Sequence, residues 1–133
     1  MISEEVSKIH GITHQQAEQE GVDLKFVLSV FSEWAALCDD LVGHNLPYDL
    51  NIMGAEFVRA SKDNPLVGKS LYDTMQKSTN YCKLPGGHPY KWPKLKELYY
   101  FLFREELAQT HTALDDIRQP AKCYFELQRL GIK

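Results

Sequence analysis

Two short apolar runs constrain the fold of this chain more than anything else in it. In DDLVGHN, Leu41 and Val42 are too few for a helix and read as a short buried strand ending at Gly43. LYDTM, around Leu71 and Tyr72, reads as a short edge strand. Neither has an obvious partner. Strand donors and acceptors must be paired, and so small a sheet is marginal alone. The sheet is therefore expected to look incomplete.

Everything else patterns as helix or loop. Residues 3–10 read as a helix with Glu4 and Glu5 in its first turn and Gly11 after it. Thr13 with Gln16 suits a capping box for a second helix ending near Gly21. Asp23 is expected to cap a longer one, in which Leu24, Val27, Leu28, Phe31, Trp34, Ala35 and Cys38 form the cleanest apolar stripe of the chain. DLNIMGAEFVRAS is helical again, with Leu50, Met53, Phe57 and Ala60 on one face. STNYCKLPGGHPYKWP reads as one long loop, with Pro93 in the first turn of a helix carrying Leu95, Leu98, Tyr99 and Leu102. A last helix runs from about Ala113 toward Leu130 and stops at Gly131. Pro120 would kink it at Asp116 if it begins at Thr112.

Bulk properties narrow the class. The length of 133 residues suits one domain, and 44% hydrophobic with 25% charged residues is a globular composition. No apolar run could span a bilayer, and MISEEVSKIHG does not look like a signal peptide. The net charge of −3 means that nucleic acid, if bound, would need a local basic patch or bound cations. Cys38, Cys82 and Cys123 are odd in number and widely spaced, which argues for reduced thiols and a cytoplasmic setting.

Two stretches offer chemistry. In GHNLPYDLN, Asp49 follows a strand-to-helix junction. It can serve as a hard oxygen ligand for a divalent cation or simply complement the positive end of its helix; the local pattern favours the helix. In HTALDD, His111 can take a proton from water and Asp116 can hold a metal, or Thr112 with Asp115 and Asp116 can merely start a helix. KLPGGHPYKWPKLK interleaves Lys91 and Lys94 with Tyr90 and Trp92, a pattern that suits a single strand. Trp92 is nevertheless expected to pack on the core, and His88 to be an ordinary loop histidine. Asp73 and Thr74 are expected to do capping or turn chemistry.

Taken together, HNLPYD and HTALDD resemble the second and third motifs of the DnaQ-like 3′–5′ exonucleases, the DEDDh branch of the ribonuclease H-like superfamily. SEEVSKIHGIT, YKWPKLKEL and AKCYFEL are similar to flanking segments of that family, in the same order, so the resemblance covers essentially the whole chain. It implies an α/β, ribonuclease H-like exonuclease fold. It also implies a 3′–5′ exonuclease of the DNA polymerase III epsilon type, hydrolysing terminal phosphodiesters at a single-stranded 3′ end of DNA or RNA. Asp49 and Asp116 would be metal ligands, His111 the general base, and His44, Asn45 and Tyr48 substrate contacts, with Lys91 and Lys94 as further ones. Mg²⁺ or Mn²⁺ would be the cofactor, as two ions roughly 3.5–4 Å apart. Asp115 does not match the motif and is expected to be a solvated neighbour.

The family's first motif, Asp-x-Glu on its first strand, does not occur in this sequence. Residues 1–133 are therefore expected to form a single, partial exonuclease domain, N-terminally truncated and lacking its first three strands, so helix-rich with a small residual sheet. Such a chain should be weak or inactive alone. It could pair its open strands in a homodimer or strand-swapped oligomer. The alternative is a non-catalytic remnant or fragment that binds nucleic acid or a partner subunit.

Overall fold

The structure is a computed structural model that describes residues 1–108 and 112–133. Among them lie seven helices and two strands. Their order is α1 (Glu4–His10), α2 (His14–Glu20), α3 (Leu24–Ala36), β1 (Asp40–Gly43), α4 (Leu46–Arg59), β2 (Ser70–Asp73), α5 (Thr74–Cys82), α6 (Leu95–Phe103) and α7 (Ala113–Arg129).

The two strands pair with each other, in parallel, with Asp40 opposite Ser70 and Gly43 opposite Asp73. This corrects the expectation of strands without partners. A parallel pair needs a long crossover, so the partner lies far away in sequence, and α4 is that crossover. The Ser70 N–H donates to the Asp39 carbonyl at 3.1 Å. Alternation along a parallel ladder then turns the Leu41 and Gly43 backbone toward β2 and leaves Asp40 and Val42 on the outer edge of β1. Among the described residues no strand pairs with that edge.

The helix ends follow side-chain chemistry. The Ser3, Thr13, Asp23 and Thr112 side chains each accept a backbone N–H from the first turn of the helix that follows. Gly11 (φ 75°) and Gly131 (φ 77°) take the left-handed conformation expected just past a helix. Two boundaries move. Residues 74–82 are helical, where a strand was expected through Met75 and a loop from Ser78, because the Asp73 carboxylate caps α5 by accepting the Met75 N–H at 2.9 Å. The loop is thus confined to residues 83–94. Pro93 also lies outside α6: Lys94 is the N-cap, and the Glu97 carboxylate reaches back to accept its N–H at 3.2 Å.

One core forms where α5, α6 and α7 meet, with Cys82, Leu98, Cys123 and Leu127 buried together. Tyr72 joins it from β2, its ring edge-on to Tyr124 at 5.0 Å and its hydroxyl donating to the Ile132 carbonyl at 2.5 Å. Under α3, Leu28 and Ala35 are buried, and Phe31 meets the fully buried Phe57 of α4 at 6.2 Å. The rest of the α3 stripe is not core. Trp34 is 72% exposed, and Leu24 and Val27 are exposed as well. A period of 3.6 shows which face is apolar, but not whether anything covers it. Trp92, expected in the core, is likewise 60% exposed.

Candidate functional site

The turn from β1 into α4 builds one wall of a cavity. Gly43 lets the chain pass close to Leu46: a Cβ at this position would lie 2.9 Å from Leu46 Cδ1, so a side chain there would have to displace the tip of that leucine. Asn45 follows in the left-handed conformation, with φ 64°. Asparagine tolerates that region better than most residues. The chain then enters α4 with Pro47 in its first turn, and Asp49 comes at the end of that turn.

Asp73 secures this turn from the neighbouring strand. Its buried carboxylate accepts the N–H groups of Asn45 at 3.0 Å, Leu46 at 3.2 Å and Met75 at 2.9 Å. One side chain therefore caps two helices, α4 and α5. Capping or turn chemistry was expected at Asp73, but neither the helix that follows it nor a second helix across the sheet. The second role depends on the parallel register that sets Asp73 beside Gly43.

α7 forms the facing wall. Asp116, Pro120 and Tyr124 make one row along it, and Ile117, Ala121 and Phe125 the next. With Val42, Gly43, His44, Asp49 and Leu95 they enclose about 640 Å³. The two expected ligands, Asp49 and Asp116, thus line the same cavity although they are far apart in sequence. The hydrophobic wall from α7 was missed at the sequence level. Its signal was legible: 116, 120 and 124 share a helix face with 117, 121 and 125 once α7 is known to begin at Ala113.

Pro120 lies inside α7, yet the helix is continuous from Ala113 to Arg129. Proline has no N–H, so Pro120 cannot donate to the Asp116 carbonyl as a helical residue would. Asp115 belongs to the helix start rather than to bulk solvent. The Thr112 hydroxyl donates to its carboxylate at 2.5 Å, and the Asp115 N–H returns to the Thr112 oxygen at 3.3 Å.

His44 is half-buried, and both its ring nitrogens are engaged, Nδ1 with the Thr74 hydroxyl and Nε2 with the Pro93 carbonyl, each at 2.9 Å. Burial lowers its pKa below the ordinary histidine value, opposed by the Pro93 carbonyl and the Asp73 charge. Desolvation raises the Asp49 carboxyl above its usual value, and the nearby Asp73 charge adds to the rise. Tyr48 is 63% exposed on the first turn of α4 and is not part of the cavity wall. Lys91 is ion-paired with Glu97 at 2.8 Å, and Lys94 is exposed at the head of α6. His111, the expected general base, lies outside the described residues.

The donor chemistry of Asp49 and Asp116 suits a hard divalent cation. Their number does not suit two. Among the described residues no three His, Cys, Asp or Glu side chains come together in a way that could hold a metal ion. Among the same residues no helix is long and apolar enough to cross a membrane.

A search of curated proteins finds no match to this chain. A family model described as exonuclease, of the RNase_T type, matches residues 1–124, nearly the full length, so the chain belongs to this exonuclease family.

Proposed function

We propose that this chain is an exonuclease domain of the DnaQ-like, DNA polymerase III epsilon type, built to remove nucleotides from a single-stranded 3′ end. The observation that carries the reading is the meeting of Asp49 and Asp116 on one cavity, brought from α4 and α7. In this reading both carboxylates belong to a two-metal site for Mg²⁺ or Mn²⁺, where the cations would supply positive charge at the scissile phosphodiester. His111, just before α7, takes the proton from the attacking water. Tyr48, exposed beside Asp49, and Lys94 are suited to contact the nucleic acid. Lys91 would first have to leave Glu97.

Two carboxylates are half of such a ligand set, so the chain by itself should turn over slowly or not at all. Residues 1–133 then act as one partial domain. The outer edge of β1, with the Asp40 and Val42 backbone facing away from β2, is the place for a further strand. A second copy of the chain could supply one by strand exchange. A clearly monomeric mass at high concentration would sink that route.

The same open edge favours a second reading, a non-catalytic domain that uses β1 to bind a partner subunit. A nuclease assay separates the two. The substrate is a single-stranded oligonucleotide labelled at either end, with Mg²⁺ or Mn²⁺ supplied. The exonuclease reading expects slow release of mononucleotides from the 3′ end, abolished by Asp116→Ala and by Asp49→Ala. Release from the 5′ end, or activity indifferent to both substitutions, would overturn it.

A further inference from the structure

His44 sits where three separate pieces of chain meet. They are the β1–α4 turn, the β2–α5 junction and the end of the 83–94 loop. Thr74 is fully buried and Pro93 nearly so, while the ring between them is half-buried. The chemistry of the partners assigns the protons. The Pro93 carbonyl can only accept, so Nε2, 2.9 Å away, carries the ring proton. Nδ1 of the neutral ring then accepts from the Thr74 hydroxyl at 2.9 Å. The Gly43 carbonyl, 3.1 Å from the same hydroxyl, is the competing acceptor.

Neither ring nitrogen is left for a ligand. Next to His44, the N–H groups of Asn45 and Leu46 are held by Asp73, the residue adjoining Thr74. The dipeptide Asp73–Thr74 thus grips the start of α4 twice, once through backbone N–H groups and once through the His44 ring. The ring passes that grip on to the loop carrying Lys91 and Trp92, which joins the chain at Pro93.

We propose that His44 is a positioning residue and not a substrate contact: with Asp73 and Thr74 it locks the first turn of α4, and so Asp49, to the 83–94 loop. The consequence for turnover rests on the exonuclease reading. The lock does not, since it is made entirely of groups within the chain.

The test uses the full chain, nitrogen NMR of the histidine rings and hydrogen exchange of single amides. The Thr74→Ser variant keeps the hydroxyl and should keep the Nε2–H form of His44 with its hydrogen-bonded Nδ1. Thr74→Val removes the hydroxyl and should shift the Nδ1 resonance. His44→Ala should speed exchange about fivefold to tenfold, the loss of roughly one hydrogen bond, at two places far apart in sequence. One is the Lys91 N–H, which donates to the Leu84 carbonyl. The other is the pair of Asn45 and Leu46 N–H groups. His44→Gln, which restores an amide donor of similar reach, should recover much of the protection at Lys91. The lock is overturned if Thr74→Val leaves the His44 ring signals unchanged, or if Thr74→Ser disturbs them as much as Thr74→Val does. It is also overturned if His44→Ala moves only one of the two regions. None of these readouts needs turnover, so nuclease activity indifferent to Asp49→Ala and Asp116→Ala would end the exonuclease reading and leave the lock to be judged separately.

Discussion

The two ends of this molecule are both built from helices and differ in what those helices touch. At the C-terminal end, α5, α6 and α7 bury Cys82, Leu98, Cys123 and Leu127 against one another. At the N-terminal end, α1 and α2 have well-formed caps but bury no residue at all. Their Val6, Ile9 and Ile12 neighbours stay exposed, as does the Phe26, Trp34 and Leu37 side of α3. A cap stabilises a helix by about 1 kcal/mol, whereas one fully buried leucine side chain contributes about 1.5–3 kcal/mol. Local signals therefore define both ends, while tertiary burial stabilises only one.

The largest effect should come from truncating the packed end. Leu127→Ala and Leu98→Ala, at fully buried positions, are each expected to cost about 2–5 kcal/mol in denaturant unfolding. Ile9→Ala, at a position 63% exposed, should stay within about 0.5 kcal/mol. Equal costs at the two ends would break the comparison.

Next comes Asp73, which holds three backbone N–H groups at once. Asp73→Ala should cost about 2–4 kcal/mol, more than the usual single cap, because it leaves several buried donors unpaired. Ser3→Ala, which removes the cap of α1, should leave the global unfolding midpoint almost unchanged and alter only local exchange. A Ser3→Ala cost approaching that of Asp73→Ala would show that α1 folds with the rest.

His44 sharpens the comparison through pH. Its pKa is lowered by burial, so the folded state binds fewer protons than the unfolded state once the pH falls below the unfolded value of about 6.5. The stability contributed by the neutral ring is present above that pH and is lost as the pH falls toward the folded value. A stability profile from pH 8 to pH 5 should therefore slope downward toward acid, and His44→Gln should flatten the slope. An unchanged slope in the variant would remove His44 as its source.

The smallest effect is expected at Asp49. Its pKa is raised by desolvation and by Asp73, so the ionised form opposes folding at neutral pH. Because the side chain is exposed, solvent screening keeps the effect small. Asp49→Asn should stabilise the metal-free chain by no more than about 0.5 kcal/mol at pH 7. That gain should vanish below about pH 4, where the unfolded carboxyl is itself protonated. A loss of stability in Asp49→Asn would mean that the carboxylate is a structural cap after all. The cysteines extend the contrast. Burial pushes Cys82 up to about 11 and Cys123 up to about 12, so a thiol reagent at pH 7 should label the exposed Cys38 and spare the other two in the folded chain.

Much of the fold was legible because it is written in short-range chemistry. Ser3, Thr13 and Asp23 cap helices where side-chain type says they should, and Gly11 and Gly131 end them. α4 begins earlier than its apolar face suggested, because Pro47 and the Asn45 turn extend it backward. α5 was hidden, because residues 74–82 have weak apolar periodicity and draw their start from the Asp73 cap. In the candidate site, the types of Asp49 and Asp116 could be read from the chain; that they share one site was implied only by the resemblance, since local pattern alone favoured a helix start for Asp49 and left both readings open for Asp116.

By itself, the sequence determined residue chemistry and local conformation: that most segments other than α5 are helical, where capping residues and glycines bound them, and that HNLPYD and HTALDD resemble a nuclease pair. Both follow from interactions spanning a few residues. Tertiary structure alone decided that β1 pairs with β2 in parallel, that Asp73 caps α4 as well as α5, and that His44 is held by Thr74 and Pro93. It also decided that α7 faces α4 across a cavity and that half of the α3 stripe remains bare. Those outcomes depend on groups distant in sequence, and a periodic pattern carries no information about which distant surface comes to cover it.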